Sequence, residues 1–209
     1  MNKIVVSLSL MMIALSLNAQ NSALIEKIKA TNASRKTLTA TFTQTKVMAM
    51  MDAKLQSGGQ LYFKADDKLA MFYTKPNTDF MVINGANFVM NSGGKRNVVN
   101  TENNPQSRML KNTLLLCLKC DIQAVATETA ATISSSETSQ SHVFTLVSSK
   151  NNQIGYNKVT LTISKQDFSL QELRLDETNG NYTVYTLSER QYNNAIDASK
   201  FAVKGAVQR

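Results

Sequence analysis

The sequence predicts a mainly β, α+β protein with about ten antiparallel strands and two or three helices. In many short segments apolar residues alternate with polar ones at a period of two, which is the pattern of half-buried strands. In the first half these segments follow one another across tight turns without an intervening helix, so they predict an antiparallel meander. Two further stretches, near residues 22–31 and 105–118, carry apolar residues at the helical period.

The best-defined hairpin lies between Gly58 and Pro76, with a turn at Asp66-Asp67. Side chains of alternate strand residues share one face of a sheet. One face of this hairpin would therefore carry Leu61, Phe63, Leu69, Met71 and Tyr73. The opposite face would carry Tyr62, Ala70 and Phe72, and it is more apolar than a solvent-exposed face needs to be. We therefore expect a curved sheet with further apolar groups packed against the hairpin.

The other strands are predicted from the same alternation. In the strand at 37–43, threonines alternate with apolar residues, and Gln44 and Lys46 continue its inner face beyond the apolar part. Further strands are expected at 80–83, 87–91, 143–147, 158–163, 170–175 and 182–187. An Asn84-Gly85 turn joins the first two of these, and Ser92-Gly93-Gly94 should end that part of the sheet. The tail at 195–203 is predicted to be an edge element.

The longer helix should begin at Asn104-Pro105, because proline is favoured in the first helical turn. Apolar residues cover most of its circumference: Met109, Leu110, Leu114, Leu115, Cys117 and Leu118. A helix of this kind is buried or lies over an apolar surface. Asp121 to Ala126 should add another short turn of helix.

Residues 1–19 are predicted to be a cleavable signal peptide, which leaves a single domain at 20–209. Lys3 precedes an apolar run from Ile4 to Leu17, and Ala19 is the small residue that signal peptidase requires. The run is shorter than the ~20 residues that cross a bilayer, and no later segment reaches that length. We expect a soluble exported protein without nucleic-acid partners. Its formal charge of +8 comes from scattered residues and most simply reflects a solvated surface.

Groups with catalytic or metal-binding chemistry are few. The two cysteines, Cys117 and Cys120, have the Cys-x-x-Cys spacing but lie in a leucine-rich segment without a βαβ pattern. Packing or an incidental disulfide is the favoured interpretation, and redox chemistry or metal binding is the alternative. The single histidine, His142, belongs to no metal-ligand or catalytic motif, and Asp66-Asp67 is explained by its turn. We expect neither an enzyme nor a bound cofactor or metal.

Methionine is abundant in the part that follows the signal peptide. The seven residues are Met48, Met50, Met51, Met71, Met81, Met90 and Met109. Methionine is adaptable and is often found on surfaces that accept apolar partners of varied shape. An ordinary core in which methionine replaces leucine explains the composition equally well. The apolar character of both hairpin faces favours an apolar ligand.

Several of these segments, in this order, resemble a known family over nearly the whole mature chain. The motifs are Phe42-x-Gln44, Gly59-x-Leu61-x-Phe63, Lys68-x-x-Met71-x-Tyr73-x-x-Pro76, Asn84-Gly85 with Phe88, and Ile196-Asp197-x-Ser199-x-Phe201. Together they resemble the LolA-like periplasmic lipoprotein carriers. The resemblance implies an incomplete antiparallel β-barrel (a half-barrel) of ten or eleven strands, with helices as a lid over a hydrophobic cavity.

The resemblance also implies a function and partners. Such a carrier binds the acyl chains of lipoproteins, or another acylated lipid, and moves them through the periplasm from an inner-membrane release complex to an outer-membrane acceptor. It would be a monomer that contacts membranes only transiently. The expected cavity and lid residues are Phe42, Leu61, Phe63, Met71, Tyr73, Phe80, Val82, Phe88, Met90, Leu110, Leu114, Leu118, Phe144, Leu146, Leu161 and Ile163.

The chain departs from the family pattern at two positions. Better-known members carry Arg-Pro after the first hairpin strand, where the arginine tethers the lid, and a tryptophan in the second strand. This chain has Ala65-Asp66 and Met71 there. We therefore expect the usual arginine tether to be absent. The alternative function is a non-catalytic envelope scaffold or binding module, which would have an interior filled by its own side chains.

Overall fold

A computed structural model describes residues 21–149 and 156–203. The predicted signal peptide lies outside the described residues. The strands are β1 (Thr37–Met48), β2 (Ala53–Lys64), β3 (Lys68–Lys75), β4 (Phe80–Asn84), β5 (Asn87–Ser92), β6 (Lys95–Asn100), β7 (Ala131–Glu137), β8 (Ser141–Ser148), β9 (Tyr156–Ser164), β10 (Leu170–Glu177) and β11 (Tyr182–Tyr192). The α-helices are α1 (21–33), α2 (Pro105–Leu118) and α3 (Ile122–Thr129).

The strands form one antiparallel sheet in the order β6-β5-β4-β3-β2-β1-β11-β10-β9-β8-β7. The pairing of β1 with β11 joins two meanders, β1–β6 and β7–β11, which each consist of consecutive hairpins. The outermost strands β6 and β7 do not pair with each other, so the barrel is incomplete, and the prediction of a half-barrel with helices is confirmed. Strand β6 was not predicted, because Lys95–Asn100 is mostly polar and follows a Gly-Gly turn.

The three helices pack on the inner face of the sheet. The main core cluster combines Ile25 and Ile28 of α1, Leu114 of α2, and Ile122 and Val125 of α3 with inward-facing strand residues. Helix α2 begins as predicted, since the Asn104 side chain accepts a hydrogen bond from Ser107 N at 2.8 Å. Asp121 caps α3 in the same way, through Ala124 N at 3.1 Å. Among the described residues no helix is long and apolar enough to cross a membrane.

The predicted hairpin is formed by β2 and β3, and its register confirms the shared apolar face. Leu61 pairs with Met71, and Phe63 pairs with Leu69. All four side chains are buried in the main cluster. The hairpin and its neighbours therefore supply one wall of the half-barrel interior, and helix α2 faces that wall.

The outer face of the same strands has a separate apolar cluster. Its buried members are Ala70, Val82, Val89 and Phe201, and Tyr62, Phe72, Phe80, Ile196 and Val203 pack against it. Phe201 ends a 3₁₀ turn at Ala198–Phe201, and its carbonyl accepts a hydrogen bond from Asn84 Nδ2 at 2.9 Å. The prediction that the tail is an edge element of the sheet is therefore wrong. The tail covers the outer face, because that face presents apolar side chains that need burial.

Candidate functional site

An open groove lies at one end of the inner face and has a volume of about 590 Å³. Its apolar lining includes Met81, Phe88, Met90, Leu110 and Leu114. Its polar lining includes Gln44, Lys46, Lys75, Asp79, Asn91, Tyr156, Glu177, Thr183 and Tyr185. Ligand sites in proteins commonly measure about 300–1,000 Å³, so the groove is large enough for an organic ligand.

A second space lies deeper, between α2 and the sheet. It is enclosed by Leu61, Leu69, Met71, Leu114, Leu118, Leu170, Leu173, Tyr185 and Leu187. Its volume is about 20 Å³, which is room for roughly one water molecule. Leu114 and Tyr185 line both spaces, so the groove leads directly to the small pocket. In this conformation the interior is filled by the protein's own side chains.

Most predicted cavity residues lie in or against the main cluster. They are Phe42, Leu61, Phe63, Met71, Tyr73, Phe88, Leu110, Leu114, Leu118, Phe144, Leu146, Leu161 and Ile163. Met90 lines the groove and is 41% exposed. Phe144, Leu146, Leu161 and Ile163 line neither the groove nor the small pocket. Leu110, Leu114 and Leu118 are four residues apart, so they share one face of α2.

Two predicted cavity residues lie on the other side of the sheet. Val82 is buried in the outer cluster, and Phe80 packs against that cluster and also lines part of the groove. Met81 and Ile83 occupy the inner face instead, where they pair with Met71 and Leu69. The placement of Val82 in the cavity is therefore wrong. The segment Phe80-Met81-Val82-Ile83 is apolar at every position, so alternation could not identify its inner face.

Sequence reasoning placed Tyr73 in the cavity and Gln44 and Lys46 on the inner face, but it missed Tyr156 and Tyr185 of the groove. Tyr73 donates a hydrogen bond to Gln44 Oε1 at 2.6 Å, and its ring meets Phe42 edge-on at a centroid distance of 5.0 Å. Burial raises the pKa of Tyr185 to about 12 and also raises the pKa values of Tyr73 and Tyr156. These phenols therefore stay protonated at neutral pH. The sequence signal that could have identified Tyr156 and Tyr185 as groove residues is their position on the inward-facing side of strands β9 and β11.

Helix α2 is tethered to the turns of the first meander by two lysines. Lys119 Nζ lies 3.1 Å from Asp67 Oδ1 in the β2–β3 turn. Lys111 Nζ donates to the carbonyl of Gly85 in the β4–β5 turn at 3.3 Å. Ala65 offers no charged group, as predicted from the sequence. In this chain a lysine of the helix and an aspartate of the turn form the ionic contact.

The remaining reactive groups lie away from the groove. Cys117 and Cys120 are free, fully buried thiols, so the disulfide alternative does not apply to this structure. Burial raises the pKa of both thiols, to about 12 for Cys120, which disfavours the nucleophilic thiolate. His142 Nδ1 lies 3.0 Å from Glu137 Oε1. Within residues 21–149 and 156–203 no three metal-ligating side chains come together.

One solved structure with a TM-score above 0.5 supports the fold, and two others are similar at lower scores. An uncharacterized conserved protein from Thermus thermophilus has a TM-score of 0.51 at 12% identity, and the alignment covers 90% of this chain and 97% of that one. A LolA superfamily protein from Nitrosomonas europaea gives 0.42 at 10% identity, with 84% and 94% covered. The Mycobacterium tuberculosis lipoprotein LppX gives 0.45 at 11% identity, with 84% and 98% covered.

Sequence comparison identifies the family. A search of curated protein sequences found no match. The family model described as outer membrane lipoprotein carrier protein LolA matches residues 33–204, which is most of the chain. This chain is therefore a member of the LolA family.

Proposed function

We propose that this protein is a periplasmic carrier that binds the acyl chains of lipoproteins and moves them from the inner to the outer membrane. The main support is the groove of about 590 Å³, whose apolar wall continues into the interior of the half-barrel. Family membership supports the same function. Non-covalent binding of an acyl chain needs apolar contact area, which the described residues of the groove provide.

An acyl chain can first occupy the groove, where Met81, Met90 and Leu110 provide flexible apolar contacts. Each methylene group that leaves water contributes about 0.8 kcal/mol. Deeper insertion requires α2 to move, because the enclosed pocket holds only about 20 Å³. The apolar stripe of Leu110, Leu114 and Leu118 would then contact the ligand in place of the sheet. Moving α2 costs free energy, so binding stays reversible, as a carrier requires.

The test is binding of a dansyl-labelled fatty acid and of a synthetic triacylated lipopeptide to the purified full chain. We expect saturable binding of both, with displacement of the dansyl probe by the lipopeptide. Met90→Asp and Leu110→Asp should each weaken binding by about tenfold, because a carboxylate would meet the acyl chain in the groove.

Val98→Asp is the matched control. Val98 is 52% exposed on β6, compared with 41% for Met90 on β5, and it does not line the groove. Binding by this variant should equal that of the wild type. A wild-type protein that takes up neither probe would disprove the carrier function.

The filled interior also favours a second candidate, a binding module that holds a partner on its surface and takes up no acyl chain. The enclosed volume of about 20 Å³ is the observation in its favour. The same titrations separate the two candidates, because the binding module predicts no saturable signal with either probe. Native mass spectrometry of the protein from the periplasm adds a second criterion, since a carrier should retain lipid or lipoprotein.

A further inference from the structure

We propose that the groove selects an acyl ligand with an anionic head, and that the chain, the carbonyl group and the head bind at three successive levels of the inner face. The inference rests on the proposed function, because it assigns the chemistry of the ligand that the groove would carry. Its basis is a change in side-chain polarity along the paired strands β1 and β11.

The levels follow from the register of β1 and β11. From the interior toward the open end, the paired inner-face residues are Phe42 with Leu187, Gln44 with Tyr185, and Lys46 with Thr183. On β3 the register shifts between Gly58 and Gly59, so Lys75 does not continue this alternation, but Tyr73 and Lys75 both line the groove. Along β1 and β11 an apolar level is therefore followed by a level of uncharged hydrogen-bonding groups and then by a level with a lysine. An amphiphile has the same order of chemical groups.

The middle level holds unused hydrogen-bond donors. Tyr73 already donates to Gln44, whereas the hydroxyls of Tyr156 and Tyr185 have no hydrogen-bond partner in the part of the chain that the structure describes. Both phenols line the groove. Neither hydroxyl is among the fully buried polar atoms that lack a partner, so both can reach the groove and donate to a ligand carbonyl that takes the place of water. Tyr185 also lines the small apolar pocket, which places it where the chain of a ligand would begin.

The outer level offers positive charge. Within the described ranges Lys46 and Lys75 form no ion pair, although other lysines of the chain do. The groove also contains the carboxylates of Asp79 and Glu177. Asp79 accepts hydrogen bonds from Ser92 Oγ at 3.2 Å and Gly93 N at 3.0 Å, and Glu177 accepts one from Asn181 Nδ2 at 3.5 Å. These hydrogen bonds hold the two carboxylates in place, and among the described residues neither carboxylate pairs with Lys46 or Lys75, so both lysines are available to a ligand carboxylate or phosphate.

The inference is tested with ligands of one chain length and three heads: a fatty acid, its methyl ester and an alkyl trimethylammonium salt. Each ligand competes with the dansyl-labelled fatty acid for the full chain. The acid should bind about tenfold more tightly than the ester, and the cation most weakly. The double variant Lys46→Gln/Lys75→Gln should lower the affinity for the acid to that for the ester. Tyr185→Phe should weaken the binding of both acid and ester.

Lys54→Gln is the control, since Lys54 is exposed on the neighbouring strand and does not line the groove. Competition by a lysophosphatidylglycerol and by the triacylated lipopeptide shows whether the anionic head comes from a phospholipid or from an acylated protein. Equal affinity for acid, ester and cation would overturn this inference and leave the carrier function intact. Absence of binding by every acyl ligand would overturn both.

Discussion

At the scale of single residues, Gly59 determines how the sheet can curve beside the groove. A side chain at this position would place its Cβ 1.9 Å from the carbonyl oxygen of Phe72. The pairing of β2 with β3 also shifts register between Gly58 and Gly59. Because neither glycine has a side chain, Tyr73 can reach across β2 to contact Phe42 and Gln44. The glycine therefore positions a polar group of the groove.

Gly59→Ala should lower the free energy of unfolding by about 3 kcal/mol, because the backbone of β3 must shift to admit the methyl group. Urea unfolding followed by circular dichroism measures the change. Gln60→Ala, at the next and exposed position, should stay within about 0.5 kcal/mol of the wild type. Equal stability of Gly59→Ala and the wild type would contradict the close packing of β2 on β3.

Residue patterns predicted most of the inner face but could not resolve every position. In β1 the alternation of threonine with apolar residues places Phe42 inside, and Gln44 and Lys46 follow on the same face. In β4 every position from Phe80 to Ile83 is apolar, so Val82 was assigned to the wrong face. Only the register of its pairing with β3 and β5 distinguishes the two faces, and a segment that is apolar at every position does not reveal that register.

At the scale of elements, α2 is held over the sheet by apolar contacts and by an ionic contact with the β2–β3 turn. The β2–β3 turn supplies the acid, Asp67, and the C-terminal end of the helix supplies the base, Lys119. Their side chains are 56% and 34% exposed, so water screens the pair. Such ion pairs contribute about 0–1 kcal/mol. The contact can therefore adjust how often α2 leaves the sheet without locking it.

Asp67→Asn should increase amide hydrogen exchange in α2 by up to about fivefold, which corresponds to the loss of an exposed ion pair. Asparagine tolerates the positive φ of 56° at this position, so the backbone should not be strained. Asp66→Asn is the matched control, because Asp66 pairs with Lys64 at 3.2 Å and does not contact α2. An equal increase in both variants would show that the Asp67–Lys119 contact does not restrain the helix.

The tail explains why the hairpin is apolar on both faces. Tyr62, Phe72 and Phe80 appeared to need an external apolar partner, but residues 196–203 of the same chain cover them. Lys200 Nζ lies 5.1 Å from the centre of the Tyr62 ring, which adds a cation–π contact. Strand alternation revealed the two apolar faces correctly. It could not show which was covered internally, because the covering segment is more than a hundred residues away in sequence.

At the scale of the whole molecule, the groove lies where the two meanders meet. Tyr73 belongs to the first meander, whereas Tyr156 and Tyr185 belong to the second, and Tyr185 stands on β11, which pairs with β1. The filled interior leaves these phenols partly enclosed by protein. The groove at this junction is therefore lined by three tyrosines whose pKa values burial raises, and their ionisation should affect the stability of the whole fold.

Alkaline pH should destabilise the protein in a way that Tyr185→Phe reduces. An unfolded tyrosine has a pKa of about 10, and burial raises the pKa of Tyr185 in the folded protein to about 12. The unfolded state therefore releases its proton first. The stabilisation associated with the neutral phenol is fully present below about pH 10 and is lost as the pH rises toward 12.

Thermal unfolding between pH 7 and 11.5, at roughly half-unit steps, measures this effect. Below pH 9 the difference in Tm between Tyr185→Phe and the wild type should be constant. At these pH values the Tyr185 phenol of the wild type is protonated, so it is uncharged like the phenyl ring of the variant. Above pH 10 the wild type should lose Tm faster than the variant. Tyr62→Phe, which alters a phenol on the outer face, serves as the comparison. Parallel Tm curves for wild type and Tyr185→Phe up to the highest pH would show that burial of Tyr185 does not couple its ionisation to folding.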